Sequence, residues 1–163
     1  MIVTRTVPTP VGPLALLARD DVLVAAGFTA DPHEMFVRLS PQLQAEGLTV
    51  GDLPEAAQAV ADYLDGKLDA LDAIPVSQPG TPTRQRLYEA LRAVPAGMTV
   101  RYAELARSAG LPPTAARAAG SACAQNLIAP FVPCHRVLPA AGVGGYYYGP
   151  PVKQWLLNHE LNV

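Results

Sequence analysis

The chain is poor in cysteine and lysine and has no long apolar run. Its two cysteines, Cys123 and Cys134, lie close together in sequence within one expected helix-loop unit, so we expect no structural disulfide and a reducing, cytoplasmic location. No group of cysteines and histidines has zinc-ligand spacing, and we therefore expect neither a metal nor another cofactor. No segment has the length and apolarity of a membrane span or the pattern of a secretory signal.

Charge is divided unevenly along the 163 residues. Residues 1–79 carry four basic and eleven acidic side chains, a balance of −7. Residues 80–163 carry eight basic and three acidic side chains, a balance of +5, and seven of those eight are arginine. Arginine suits bidentate phosphate contacts. The second half is therefore a candidate for binding nucleic acid, although a solvated basic surface would have the same composition.

The first half contains the signals of a small sheet with helices. Residues 11–28 hold two apolar runs separated by the acidic turn Asp20-Asp21, which predicts an antiparallel β-hairpin. Residues 31–44 fit either one helix or two pieces broken at Pro41. These elements predict an N-terminal domain with an antiparallel sheet.

A further helix is expected before the middle of the chain. Asp52 is a candidate N-cap, Pro54 lies in the first turn, and Gly66 marks the end. The following segment, roughly residues 74–80, has the composition of a linker. We therefore expect an N-terminal α/β domain over residues 1–78 and a second domain over residues 79–163.

The second half is expected to be mainly helical, which makes the fold class α+β. Thr81-Pro82 opens a helix, residues 102–107 form a short helix that ends at Gly110, and residues 114–124 form an alanine-rich one. Two short helices joined by a tight turn predict a helix-turn-helix, although simple helix packing produces the same pattern. The positive charge of this half favours DNA binding.

Small residues dominate the second of these helices. Ala115, Ala116 and Gly120 would let the helix approach DNA closely while offering no hydrogen bonds to base edges, which suits docking by shape or in the minor groove. Arg117 is the one long side chain in the run and could enter the base stack. The alternative is that the alanines face the core.

The segment Pro133-Cys134-His135-Arg136-Val137 places a cysteine beside a possible base. A thiolate is a strong nucleophile, and it forms only near a proton acceptor or a positive charge. A buried, unreactive cysteine is the common alternative. If the segment is strand-like, the adjacent side chains of Cys134 and His135 point apart, and a water is needed between them.

Residues 80–163 resemble the O6-alkylguanine-DNA alkyltransferase family. The resemblance rests on these motifs, in order: Gly80-Thr81-Pro82, Pro95-x-Gly97, Tyr102-x-x-Leu105-Ala106, Ala115-Ala116-Arg117-Ala118-x-Gly120, Asn126, Pro133-Cys134-His135-Arg136-Val137, Gly145-Tyr146 and Lys153-x-Trp155-Leu156-Leu157-x-His159-Glu160. Residues 1–78 match more loosely, and the resemblance implies a ribonuclease H-like fold there. It implies a monomer that binds double-stranded DNA carrying O6-alkylguanine, with O4-alkylthymine as a second candidate substrate.

The resemblance also implies the chemistry. The damaged guanine is flipped out of the duplex, and Cys134 takes its alkyl group in a single irreversible turnover. His135 removes the thiol proton through a water, and Glu160 orients the imidazole. Tyr102 crowds the neighbouring phosphate and can protonate the departing guanine, and Arg117 fills the gap left by the base.

The expected substrate pocket is formed around the same cysteine. Asn126 is the hinge between the recognition helix and the active-site segment, and the backbone carbonyls of Cys134 and Val137 accept from the guanine amino group. Tyr146 helps to wall the pocket, and Tyr147 belongs to it as well. Arg136 is expected to be a structural ion-pair partner.

The chain departs from the family pattern in places. Asn126 is followed by leucine rather than proline, and Thr83-Arg84 replaces an aromatic-glutamine pair. In residues 146–148 two further tyrosines follow the first, where the family has small residues, so we expect methyl adducts to be preferred over benzyl-sized ones.

Other functions remain open at this point. A non-catalytic sensor that binds the same lesion, a DNA-binding regulator and a cysteine hydrolase are the alternatives. The nucleophile Cys134 argues against the first, chain length against the second, and the lack of an oxyanion-type glycine loop against the third.

Overall fold

The computed structural model describes residues 1–161, which divide into two compact units. The first unit comprises Met1–Gln78 and Leu127–Phe131, and the second comprises Pro79–Asn126 and the chain from Val132 onward. The short segment 127–131 thus returns to the first unit. The sequence gives no indication of this return. Within residues 1–161, no helix combines the length and apolarity needed to cross a membrane.

The first unit is built on a four-stranded sheet in the order β3-β2-β1-β4. Its strands are β1 (Ile2–Val7), β2 (Leu14–Arg19), β3 (Val22–Gly27) and β4 (Leu48–Val50). The predicted hairpin is confirmed, since β2 and β3 pair antiparallel across the turn. Asp20 and Asp21 have φ of 51° and 63°, the left-handed values that a two-residue hairpin turn requires. The sheet is not wholly antiparallel, because β1 pairs with β4 in parallel.

Two short helices cover one face of this sheet. They are α1 (Pro32–Phe36) and α2 (Pro41–Gln44), so the two-piece alternative for residues 31–44 is the correct one. The Oδ1 atom of Asp31 caps α1 by accepting from the backbone N–H of His33 at 3.0 Å. One apolar cluster joins α1, the link to α2 and the sheet, and Leu43 of α2 packs against it. The cluster comprises Ile2, Ala15, Leu17, Val24, Ala25, Met35, Phe36 and Leu39.

The third helix, α3 (Pro54–Leu64), begins differently from the prediction. Asp52 is not its N-cap; Leu53 occupies that position in a left-handed conformation with φ of 38°, and no side chain caps the helix. Leu53 is buried, so packing of its apolar side chain, rather than a capping hydrogen bond, fixes the start of the helix. The helix ends as expected near Gly66, whose φ of 106° only glycine adopts readily.

As far as residue 161, the second unit contains four α-helices and a pair of two-residue strands. In chain order they are α4 (Pro82–Ala93), β5 (Val100–Arg101), α5 (Tyr102–Ser108), α6 (Ala116–Ala124), β6 (Val137–Leu138) and α7 (Pro150–Leu161). Thr81 caps α4 by accepting from the N–H of Arg84 at 3.1 Å, as the sequence predicts.

The helix-turn-helix is formed by α5 and α6, which pack on each other and on α4. A 3-10 turn at Pro113–Ala115 precedes α6, so the second helix begins two residues later than predicted. The parallel pairing of β5 with β6 joins the chain just before α5 to the chain just after the cysteine motif. This pairing places the start of the helix-turn-helix beside the motif.

Candidate active site and DNA interface

Cys134 begins a tight turn rather than a strand. Its N–H donates to the carbonyl of Val132 at 2.9 Å across Pro133, whose φ of −85° and ψ of 63° are those of an inverse γ-turn. A 3-10 turn then runs over Cys134–Arg136. The expectation of a strand-like segment is therefore wrong, because the proline ring fixes φ and turns the chain. The backbone turn, not strand alternation, sets the directions of these side chains.

The Sγ atom of Cys134 lies in a buried, polar environment. Cys134 is 8 % exposed, and the Asn126 amide donates to Sγ at 3.3 Å and to the carbonyl of Val132 at 2.8 Å. Burial raises the pKa of the thiol, and the Asn126 hydrogen bond and the Lys153 charge only partly oppose this. The resting group is therefore a thiol, and it needs a base before it can act as a nucleophile.

His135 is fully buried and is held by Glu160. Its Nε2 lies 2.8 Å from Oε2 of Glu160, which is the pairing expected from the sequence. A carboxylate only accepts hydrogen bonds, so Nε2 carries the proton and Nδ1 presents its lone pair. In the described part of the chain, Nδ1 has no hydrogen-bond partner. Burial lowers the pKa of His135, which keeps the ring neutral and able to accept a proton.

Arg136 is a structural ion-pair partner of Glu160. Its Nε donates to Oε1 of Glu160 at 2.8 Å, one Nη to Oε2 at 3.0 Å, and the other Nη to the carbonyl of Val94 at 2.8 Å. Burial by itself raises the pKa of the Glu160 carboxyl, but the hydrogen bonds from His135 and Arg136 outweigh it and hold that pKa well below its usual range. Glu160 is therefore a fixed anion that orients His135.

Lys153 was not predicted as a site residue, yet its ammonium reaches the turn. Its side chain is buried, and Nζ donates to the carbonyls of Val137 at 2.8 Å and Gly145 at 3.3 Å. Arg136 and Lys153 therefore do not contribute to an exposed basic surface. The arginines left to do so are exposed or half-buried: Arg84, Arg86, Arg92, Arg101, Arg107 and Arg117.

The two carbonyls expected to receive the guanine amino group both have a partner within the protein. The carbonyl of Cys134 accepts from the N–H of Val137, and the carbonyl of Val137 accepts from Lys153. A carbonyl oxygen has two lone pairs, so each can accept one more hydrogen bond.

The start of α6 carries the predicted DNA-binding residues. Arg117 is exposed, Ala115 and Ala116 are half-buried beside it, and the buried alanines of the helix are Ala119 and Ala122. The alternative that the alanines face the core is thus correct for Ala119 and Ala122, whereas Ala115 and Ala116 are only partly covered. Gly120 faces Tyr102 rather than open solvent, since a Cβ added there would lie 3.9 Å from the Tyr102 ring.

The tyrosines of the candidate pocket differ in exposure. Tyr102 is half-buried, and burial raises the pKa of its phenol, which keeps it protonated and able to donate. Tyr146 is half-buried and edge-on to Tyr148, with ring centroids 5.7 Å apart. Tyr147 is 64 % exposed, and its ring centroid lies 4.9 Å from that of Tyr148. The ring of Tyr147 thus presents most of its surface to solvent.

Residues 1–161 contain no group of three or more histidine, cysteine and acidic side chains able to hold a metal ion. The second cysteine, Cys123, is half-buried on α6 rather than part of the core, and burial raises the pKa of its thiol. Cys134 is distinguished from Cys123 by the hydrogen bond that its thiol accepts from Asn126.

Together these features define a class: a protein with a helix-turn-helix beside a buried cysteine that has a histidine–glutamate pair next to it. Residues 82–162 match the family model of the 6-O-methylguanine DNA methyltransferase DNA-binding domain. The methylated-DNA–protein-cysteine methyltransferase of Shigella flexneri is 32% identical, over 98% of this chain and 95% of that protein. The same-named protein of Mycolicibacterium paratuberculosis is 36% identical, over 98% and 93%.

Solved structures agree with these relatives. Mycobacterium tuberculosis OGT in complex with DNA matches with a TM-score of 0.79 and 30% identity, over 98% of this chain and 93% of that one. The O6-methylguanine-DNA methyltransferase of Pyrococcus kodakaraensis matches with a TM-score of 0.71 and 25% identity, over 98% and 99%. The chain belongs to the methylated-DNA–protein-cysteine methyltransferase family. The α+β fold class and the family resemblance drawn from the sequence are confirmed.

Proposed function

We propose that this protein repairs DNA directly, by moving the alkyl group of O6-alkylguanine onto Sγ of Cys134. The observation that carries the proposal is the set of contacts around the cysteine: a buried thiol, a neutral histidine with a free Nδ1 lone pair, and a carboxylate fixed on the far side of the ring. Family membership supports the same chemistry.

The reaction is one displacement at carbon. Nδ1 of His135 takes the thiol proton through a water, and Glu160 stabilises the imidazolium that results. The sulfur–carbon bond forms as the carbon–O6 bond breaks, and the electron pair of the broken bond remains on O6. A proton from the Tyr102 phenol then restores normal guanine. The thioether is not hydrolysed, so each molecule acts once.

The base must leave the duplex before it can reach Cys134. We propose that α6 docks on the DNA through Ala115, Ala116 and Gly120, that Arg117 fills the gap in the stack, and that Tyr102 crowds the adjacent phosphate. The exposure of Arg117 and the partial exposure of Ala115, Ala116 and Gly120 support this arrangement. Asn126, Val137, Tyr146 and Tyr147 are assigned to the pocket.

The remaining assignments follow from the same function. Residues 1–78 would form the ribonuclease H-like domain and residues 79–163 the DNA-binding and catalytic domain, a division supported by the two compact units. We place the protein in the cytoplasm, because its two cysteines are free and the reaction needs a reduced thiol, and we take it to be a monomer, as the family resemblance implies.

Mass spectrometry of the protein after incubation with a duplex carrying O6-methylguanine tests the proposal. We expect one added methyl group on the peptide that contains Cys134, and none in Cys134→Ala. Cys123→Ala is the matched control and should still be methylated. DNA binding without any mass shift in the unmodified protein would overturn the proposal and identify a lesion sensor.

A further inference from the structure

Lys153 is a buried cation with no acidic partner in the described part of the chain. Its side chain is 1 % exposed, and its hydrogen bonds go to the backbone carbonyls of Val137 and Gly145. Removing an ammonium from water costs several kcal/mol unless an opposite charge compensates it. Two neutral carbonyls compensate it only in part, and burial accordingly lowers the pKa of Lys153.

The carbonyls that Lys153 binds belong to two different parts of the site. Val137 closes the cysteine turn, and Gly145 precedes the tyrosines of residues 146–148. The backbone beside this contact requires glycine, because Gly144 has φ of 80° and a Cβ there would lie 2.7 Å from Cδ of Pro139. The side chain thus ties the turn to the tyrosine segment at a point where only glycine fits.

The positive charge of Lys153, held at the Val137 carbonyl that ends the cysteine turn, acts on both cysteine thiols. Its ammonium interacts electrostatically with Cys134 and with Cys123. Other titratable groups that interact with the Cys134 thiol are Tyr88 on α4, Tyr102 on α5 and Cys123 on α6, whereas the neighbouring His135 and Arg136 of its own turn are both bound to Glu160 on α7. Arg136 is already neutralised by two hydrogen bonds to Glu160, which leaves Lys153 as the cation without a carboxylate of its own.

We propose that Lys153 is a positioning residue that stabilises the Cys134 thiolate by its charge and holds the Val137 carbonyl where the guanine amino group binds. This inference rests on the proposed function and deepens it. When the thiol loses its proton to His135, the sulfur becomes negatively charged. The buried ammonium of Lys153 then has an opposite charge nearby, which it otherwise lacks. The pair Sγ⁻–Nζ⁺ therefore exists only in the state ready for transfer, and forming the thioether removes it again.

The charge is tested without DNA, by titrating thiolate absorbance near 240 nm as the difference between each protein and its own Cys134→Ala derivative. Lys153→Met should shift the midpoint to higher pH by about one unit, with about a tenfold lower transfer rate at neutral pH. Lys153→Gln, which keeps an amide donor but loses the charge, should shift it similarly. Lys67→Met, at the one other lysine, should leave it unchanged.

The hydrogen bond to Val137 is tested with two duplexes, one carrying O6-methylguanine and the other O6-methylhypoxanthine, which lacks the amino group. The protein with Lys153 should prefer the guanine adduct. Lys153→Met should lose most of that preference, whereas Lys153→Gln should keep more of it. Circular dichroism establishes that each variant is folded.

The outcomes distinguish failure of the proposed role of Lys153 from failure of the proposed alkyl transfer. An unchanged thiolate midpoint and an unchanged adduct preference in folded Lys153→Met would overturn the role of Lys153 while leaving alkyl transfer intact. Absence of methyl transfer in the unmodified protein would overturn the proposed function, whereas the thiolate titration would still measure the effect of the charge.

Discussion

Arg136 binds both carboxylate oxygens of Glu160, with Nε–Oε1 at 2.8 Å and Nη–Oε2 at 3.0 Å. The same Oε2 lies 2.8 Å from Nε2 of His135. All three side chains are buried, so the guanidinium supplies the charge that lets a carboxylate remain ionised beside the imidazole. Glu160 can then orient His135 without taking its proton, which leaves Nδ1 as the basic atom.

Glu160→Gln should destabilise the fold strongly. The substitution leaves the Arg136 guanidinium buried without a counter-charge, which typically costs about 3–5 kcal/mol. Urea unfolding at pH 7.5, set against the exposed control Glu89→Gln, measures the loss. Replacing Arg136 and Glu160 together by methionine should recover much of it, and equal losses in the Glu160 and Glu89 variants would contradict the assignment.

The free energy of unfolding should fall as the pH drops below neutrality. Burial lowers the pKa of His135, so below about pH 6.5 the unfolded chain takes up a proton that the native protein refuses. The loss approaches about 1.4 kcal/mol per pH unit for that one proton. Because the pKa of Glu160 is also held low, a second loss begins below about pH 4.3.

Urea titrations at intervals from about pH 8 down to about pH 3 measure this dependence, because the second loss begins only below about pH 4.3. His135→Asn should remove the first decline and keep the second. A free energy of unfolding that stays level from pH 8 to pH 5 in the unmodified protein would show that the buried imidazole accepts a proton in the native state.

Arg117→Ala should slow methyl transfer from duplex DNA by about tenfold or more, since unstacking a base costs a few kcal/mol and the arginine would compensate it. Transfer from a single-stranded oligonucleotide should change little, because no stack has to be opened. Arg107→Ala, an exposed arginine on the neighbouring helix, serves as the control for lost charge. Equal slowing on duplex and single strand would argue against a role in flipping.

Substitutions at Gly120 should separate stability from activity. An alanine Cβ would lie at ordinary contact distance, 3.9 Å, from the ring of Tyr102, so Gly120→Ala should stabilise α6 by about 0.5–1 kcal/mol. Gly120→Leu should displace that ring and slow transfer. Thermal melts and single-turnover rates distinguish the two effects. A destabilised alanine variant would mean that this position has no room for a methyl group.

Methyl adducts should react faster than benzyl adducts. Three consecutive tyrosines follow Gly145, and Tyr146 and Tyr148 are half-buried in edge-to-face contact, which adds ring volume to the segment that Lys153 joins to the cysteine turn. Single-turnover rates on duplexes with O6-methylguanine and O6-benzylguanine measure the preference. Comparable rates would show that the additional rings leave the pocket unobstructed.

Much of the secondary structure follows from local sequence signals. The hairpin of residues 11–28, the Thr81 cap and the glycine at the end of α3 each depend on neighbouring residues alone. β1 and β4 lie outside the predicted elements, because Leu48–Val50 is three residues long and mostly exposed, and its pairing with β1 joins distant parts of the chain. Such non-local pairing leaves little trace in a short window of sequence.

The site was predictable to the extent that motifs carry it. The resemblance places Glu160 against His135, and the structure has that contact. It does not indicate that Pro133 turns the chain before Cys134, nor that Lys153 reaches two carbonyls, because both depend on how the backbone folds back on itself. At Asp52 the sequence predicted a contact that the structure lacks. Asp52 is a suitable cap residue, but α3 begins after the buried Leu53 instead.

The burial of Lys153 also has a practical consequence for handling the protein. Lys67 is the remaining lysine, it is exposed, and it lies in the first unit together with the N-terminal amine. Amine-reactive dyes or supports should therefore attach to the first unit and leave the helix-turn-helix and the cysteine turn unmodified. Immobilised single molecules prepared in this way would keep the DNA-binding surface chemically intact.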